Sequence, residues 1–90
     1  TSWRGQRSAM MAVYFIRAIG NDFDVADEGV DYADAAEARR AAVRAAVELA
    51  AEEVGGDERC SSIIEARVED DSKTVARYVI ALSVEPLPLE

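Results

Sequence analysis

From Ala35 to Val54 the chain is an unbroken run of good helix formers, and this run constrains the fold more than any other feature. Asp34 stands before it, where a carboxylate can accept from the free N–H groups of a first turn. Glu37 follows at the spacing of a capping box, with aspartate in place of the usual serine or threonine. Gly55-Gly56 supplies the conformational freedom a helix end uses. Glu37, Arg40, Arg44, Glu48 and Glu52 recur at three- and four-residue spacing and predict a solvated face with weak ion pairs. The opposite arc holds Ala38, Ala42, Val43, Ala46, Val47, Leu49, Ala50 and Val54. That arc is wider than contact with one sheet requires, and its alanines allow a neighbour to come close. Arg39 and Glu53 also project onto it. They are interface candidates, although a packed stem with the charged head in water is the commoner role for such side chains.

What surrounds the helix reads as strand. Ala12–Ile19 has two apolar alternate sets, Val13/Phe15/Ile19 and Tyr14/Ile16, broken only by Arg17. A strand apolar on both sides belongs in the middle of a sheet. Gly20-Asn21-Asp22 interrupts it, Phe23-Asp24-Val25 can pair back as a short second strand, Asp27-Glu28-Gly29 is another turn, and Val30-Asp31-Tyr32 resumes extended structure. Tyr32 is placed to pack where the chain enters the helix. After the helix, Ile63–Glu69 and Thr74–Val84 flank Asp70-Asp71-Ser72-Lys73 and predict a hairpin. A three-residue loop would set Glu65 opposite Arg77. Pro86 and Pro88 end the last strand. The fold class is therefore α+β, in the order β-β-α-β-β: an antiparallel or mixed sheet of three to four strands with one long helix on one face. A single helix leaves the other face uncovered, with Ile63, Val75 and Val79 among its charged residues. A second copy of the chain is the most economical cover.

Ninety residues make one domain with a thin core, which argues against a deep walled cleft. Residues 1–10 show no pattern and read as an extension, with Met11 as a natural start. Residues 11–88 form the single domain, and Leu89-Glu90 has the look of a cloning remnant. The formal net charge is −8, so a phosphate backbone or an anionic lipid surface is repelled, and neither nucleic acid nor membrane is an expected partner. No apolar stretch approaches a membrane helix, and Thr1–Ala9 lacks the apolar region of a secretory signal. Cys60 is the one cysteine and has no partner for an internal disulfide, which suggests a cytoplasmic setting.

Catalytic chemistry finds little support. There is no histidine to serve as general base or to activate Cys60, and Ser61-Ser62 has no evident activating neighbour. No cofactor motif is present: Gly55-Gly56 follows the helix, whereas a phosphate-binding loop precedes one. The sharpest local feature is acidic. Asp22, Asp24, Asp27, Glu28, Asp31 and Asp34 fall within thirteen residues, without a basic residue among them. Crowded carboxylates repel, and a hard divalent cation would relieve the repulsion, so the first five are candidate metal ligands. The match to a calcium loop fails after Asp22-x-Asp24, because Ala26 and Asp27 occupy positions of a ligand and a glycine, and Ala33 stands where a closing glutamate belongs. A solvated acidic loop with a helix cap explains the same residues.

Several blocks together resemble a family of short bacterial domains of unknown function. They are Met11-Ala12-Val13-Tyr14-Phe15-Ile16, Asp27-Glu28-Gly29-Val30, the Ala/Arg-rich helix from Asp34 to Leu49, and Ile64–Asp71 with the closing strand. Members typically begin Met-x-x-Tyr-Phe-Phe, carry an Asp-Glu-Glu-Gly-like turn and end in a hairpin. Ile16 replaces the second phenylalanine, and Ser72 stands where the hairpin glycine is usual. The resemblance implies the fold but no activity and no site residues. The layout is also similar to small sheet-plus-helix antitoxin domains that dimerise and mask a partner, a likeness of architecture alone. The expectation is a non-enzymatic interaction or regulatory module acting as a homodimer, with a further protein partner possible. Small-ligand or cation binding through the acidic loop and antitoxin-like masking are the alternatives.

Overall fold

The computed structural model describes residues 12–89. The proposed extension over residues 1–10 and the start at Met11 lie outside them. The elements are β1 (Ala12–Ile19), β2 (Asp24–Ala26), β3 (Val30–Tyr32), α1 (Ala35–Val54), β4 (Cys60–Glu69) and β5 (Thr74–Val84). All pairings are antiparallel, in the order β2-β1-β4-β5, with β3 pairing β1 beyond β2. The sheet thus has five strands, one more than the upper expectation, because the segment after β1 pairs back in two pieces. β1 is interior, as its two apolar faces require.

The two pieces are one strand broken by a bulge. Phe15 and Ile16 of β1 lie opposite three residues, Asp27, Glu28 and Gly29. Asp27 holds the irregularity together. Its N–H donates to the Ile16 carbonyl at 3.0 Å. Its Oδ1 accepts from the N–H groups of Ile16 and Gly29, each at 3.1 Å. A side-chain carboxylate therefore does what a ladder carbonyl would have done. Gly29 adopts φ 100°, and a Cβ there would lie 2.8 Å from Phe15 Cε1.

Helix α1 begins and ends as its caps predict. Asp34 Oδ1 accepts from the Glu37 N–H at 2.8 Å, and Gly55 closes the helix at φ 62° with its N–H on the Ala51 carbonyl. Ala38, Ala42, Ala46 and Ala50 are buried against the sheet. They meet the even-numbered residues of β4, where Ile64, Ala66 and Val68 are fully buried. Tyr14, Ile16 and Tyr32 pack at the N-terminal half, and Tyr78, Ile80 and Leu82 at the C-terminal half. Tyr32 joins the cluster around Ala38 and stacks obliquely on Tyr14, with ring centroids 6.3 Å apart. Along the buried line of α1 the small alanine side chains let helix and sheet approach closely. Ala42→Leu is expected to push helix and sheet apart and lower stability by about 1–3 kcal/mol. Chemical denaturation followed by circular dichroism reads this, and an unchanged midpoint would remove the close-packing account.

Two expectations about the hairpin are corrected. Glu65 lies opposite Val79, and Arg77 lies opposite Arg67. The loop Asp70–Lys73 has four residues, and a bulge at Val68/Glu69 adds another offset, so the pairing is two residues away from the expected register. An even shift keeps each side chain on its face. Asp70 holds the turn by accepting from the Ser72 and Lys73 N–H groups at 2.8 and 3.0 Å. The second correction concerns Val75. It sits in that bulge and packs on the cluster of Ala38, Ala42 and Val68, so it does not belong to the uncovered face.

Candidate functional site

Two surfaces stand out among the described residues. The first is the side of the sheet away from α1, on which no described element packs. Here the register produces an unusual row: Arg17 lies opposite Arg67, and Arg67 opposite Arg77. Like charges directly across strands destabilise a sheet unless they are compensated. The neighbouring rows supply the compensation. Asp24 grips Arg17 with both oxygens, at 2.7 Å to Nε and 2.6 Å to Nη2. Glu65 Oε2 accepts from both Arg67 Nε and Arg77 Nε, each at 2.8 Å. Glu69 lies on the far side of the row, opposite Phe15. The hydrogen bond from Arg17 holds the Asp24 carboxyl below the usual range, and those from Arg67 and Arg77 do the same for Glu65. Three arginines and three carboxylates thus form a charge-balanced belt on a chain of net charge −8. Beside the belt stand Val79 and Ile63, diagonal neighbours that are 72% and 61% exposed.

The second surface is a groove of about 600 Å³ along the flank of α1 that faces β5. Val43 and Val47 line it from the helix, with Tyr78 contributed by β5 and the guanidiniums of Arg39, Arg40 and Arg44 around it. The surplus width of the apolar helical arc is the cause. The buried alanine line uses the middle of the arc, so Val43 and Val47 are left at its margin, and Val47 is half exposed. Among the described residues none of the three guanidiniums forms an ion pair. Glu48 is the one carboxylate on the lining. Beside the groove runs β5, which among the described residues pairs only with β4 and so presents its other edge unpaired from Thr74 to Val84.

The residues singled out in the sequence are distributed as follows. Ile63 and Val79 share the open face. Arg39 lines the groove. Glu53 is exposed, but its Oε1 accepts from the hydroxyl of buried Ser62. Of the acidic loop, Asp24 is engaged by Arg17 and Asp27 by backbone N–H groups, while Asp22, Glu28 and Asp31 are exposed. No group of three or more potential metal ligands converges among the described residues. Sequence reasoning missed the arginine row, which needs the cross-strand register, and the role of Asp27, which needs the bulge. No described helix is long and apolar enough to cross a membrane.

Fold and surfaces define a small α+β domain: an antiparallel sheet backed by one alanine-lined helix, with grooves on its surface. The chain belongs to the family described as a domain of unknown function (DUF6894), whose model matches residues 13–81. The match runs from β1 into β5 and so reaches every described element. No curated protein and no solved structure matches the chain.

Proposed function

We propose that this chain is a non-enzymatic interaction or regulatory module that acts as a homodimer, the two copies meeting through the open face of the sheet. The observation that carries the proposal is the pairing of Ile63 and Val79, the most exposed large apolar side chains within the strands, with a charge-balanced belt. Exposed apolar side chains gain by burial. The net charge of the chain opposes self-association, but the belt neutralises itself locally, so two identical faces can approach without like-charge repulsion. A two-fold axis through such a face brings each residue's neighbourhood against its own copy. A role without catalysis fits a chain that has no histidine and whose strand arginines Arg17, Arg67 and Arg77 are engaged in ion pairs. The unpaired thiol of Cys60 fits a reducing, cytoplasmic setting.

Native mass spectrometry and sedimentation test the proposal. The wild-type chain is expected at twice its 9.8 kDa mass. Ile63→Asp/Val79→Asp is expected at the monomer mass with an unchanged circular dichroism spectrum. A wild-type chain that stays monomeric at millimolar concentration overturns the homodimer. A doubly substituted chain that remains dimeric moves the interface off this face.

A further inference from the structure

We propose that the groove between α1 and β5 takes an extended acidic peptide segment of a partner protein, which adds as a further antiparallel or parallel strand along the free edge of β5. The inference deepens the reading of an interaction module but does not depend on the open-face dimer. The two surfaces are separate: one lies on the side of the sheet away from α1, the other beside α1.

Three independent features meet at this place. First, the edge is receptive. β5 runs for eleven residues with its outer N–H and C=O groups unpaired among the described residues. Exposed edges are commonly protected by lysine, by proline or by shortness. Here proline comes only after the strand, at Pro86, and Arg77 is the only charged residue in it. The main chain alone can therefore bind an extended segment, whatever its sequence.

Second, the flank of the helix that lies beside β5 carries a chemistry that selects. Side chains of an added strand alternate, so every second one faces α1. There it meets Val43 and Val47 as apolar contacts and Arg39, Arg40 and Arg44 as cations. Guanidinium forks match carboxylates in two-point hydrogen bonds. Third, charge complementarity identifies the occupant. The chain has an overall excess of acid, yet on this flank three guanidiniums without ion pairs among the described residues face one carboxylate, Glu48. A basic segment would meet repulsion there, and a fully apolar one would leave the arginines without partners. The best match carries Glu or Asp interleaved with an aliphatic residue on its helix-facing side.

The probe is a fluorescein-labelled seven-residue peptide, Glu-Thr-Val-Thr-Glu-Thr-Val, with a control in which both glutamates are lysine. Its binding is followed by fluorescence anisotropy and by amide NMR of the full chain. The acidic peptide is expected to bind, to weaken as salt is raised, and to slow amide exchange along Thr74–Val84. Arg39→Glu/Arg44→Glu, both on the helix surface, is expected to reduce affinity at least tenfold with the circular dichroism spectrum unchanged. Equal binding of the lysine peptide, or no binding at millimolar peptide, overturns the proposal. So does binding without protection of β5 amides, since that marks a site for small anions in place of strand addition. Protection of β5 without peptide that grows with protein concentration also overturns it, by assigning the edge to a second copy. The single variant Ile63→Asp, whose substitution lies in β4 and outside the edge strand, keeps peptide binding whether or not it dimerises, so failure of the dimer and failure of the peptide site are read separately.

Discussion

Ile64→Ala is expected to lower the free energy of unfolding by about 2–5 kcal/mol, whereas Ile63→Ala, one residue earlier, changes it by less than about 1 kcal/mol. A domain of this length holds only about 5–13 kcal/mol in total, so the first substitution threatens the fold and the second does not. Ile64 is fully buried and, with Val68, is one of the two largest side chains with no exposure. Its neighbours in the cluster include Ala18, Ala46, Ala50 and Ala66. Alanines have no rotamers with which to fill a cavity, so the space left by the missing carbons persists and the upper part of the range applies. Ile63 points from the same strand to the open face and is 61% exposed. Denaturation of both variants, at a dilution that keeps the chain monomeric, gives the comparison. Equal losses would mean that the two faces of β4 have been assigned wrongly, and the core and the open face would have to be exchanged.

The parts of this fold that were legible from sequence are those specified by residues close together in the chain. Asp34, Glu37 and Gly55 set both ends of α1 through contacts within one turn. The double apolar alternation of Ala12–Ile19 placed β1 inside the sheet. What could not be read depends on registers between distant segments. The bulge at Val68/Glu69 turns Val75 inward and, together with the four-residue loop, moves Glu65 from a position opposite Arg77 to a diagonal one, yet the ion pair between them forms because an arginine side chain spans the diagonal. The arginine row arises only when β1, β4 and β5 are aligned together. The candidate groove is half visible: the apolar arc is too wide for one sheet contact, but that its margin lies beside the edge strand β5 follows from strand order, which residue patterns do not encode. The acidic loop shows the same limit. Six nearby carboxylates suggest mutual repulsion, while in the fold Asp24 is placed on Arg17 and Asp27 on the backbone of β1.

Gly29→Ala is expected to be the most damaging single methyl addition in the acidic segment, lowering stability by about 2–4 kcal/mol. At φ 100° an L side chain is strained by about 1–3 kcal/mol. The loss of chain entropy in the unfolded state offsets only about 0.4–1 kcal/mol. The added methyl also meets the sheet itself, lying 2.8 Å from Phe15 Cε1 and 3.0 Å from Val13 Cγ1. Gly56 provides the control, because it has φ 85° but no atom within 4 Å of the corresponding position. Gly56→Ala therefore carries the backbone strain without the collision, and the difference between the two variants measures the contact with Phe15. Repeating Gly29→Ala in a Phe15→Leu chain is expected to shrink that difference, since the shorter side chain can withdraw. The consequence reaches beyond stability. Gly29 donates to Asp27, and Asp27 accepts from Ile16, so a displaced Gly29 loosens the one carboxylate that closes the bulge. Hydrogen exchange at the Ile16 amide should quicken in Gly29→Ala and stay slow in Gly56→Ala. If the two glycine variants lose equal stability and Ile16 stays protected in both, the aromatic ring does not lie over Gly29, and the bulge is held by the Asp27 carboxylate alone.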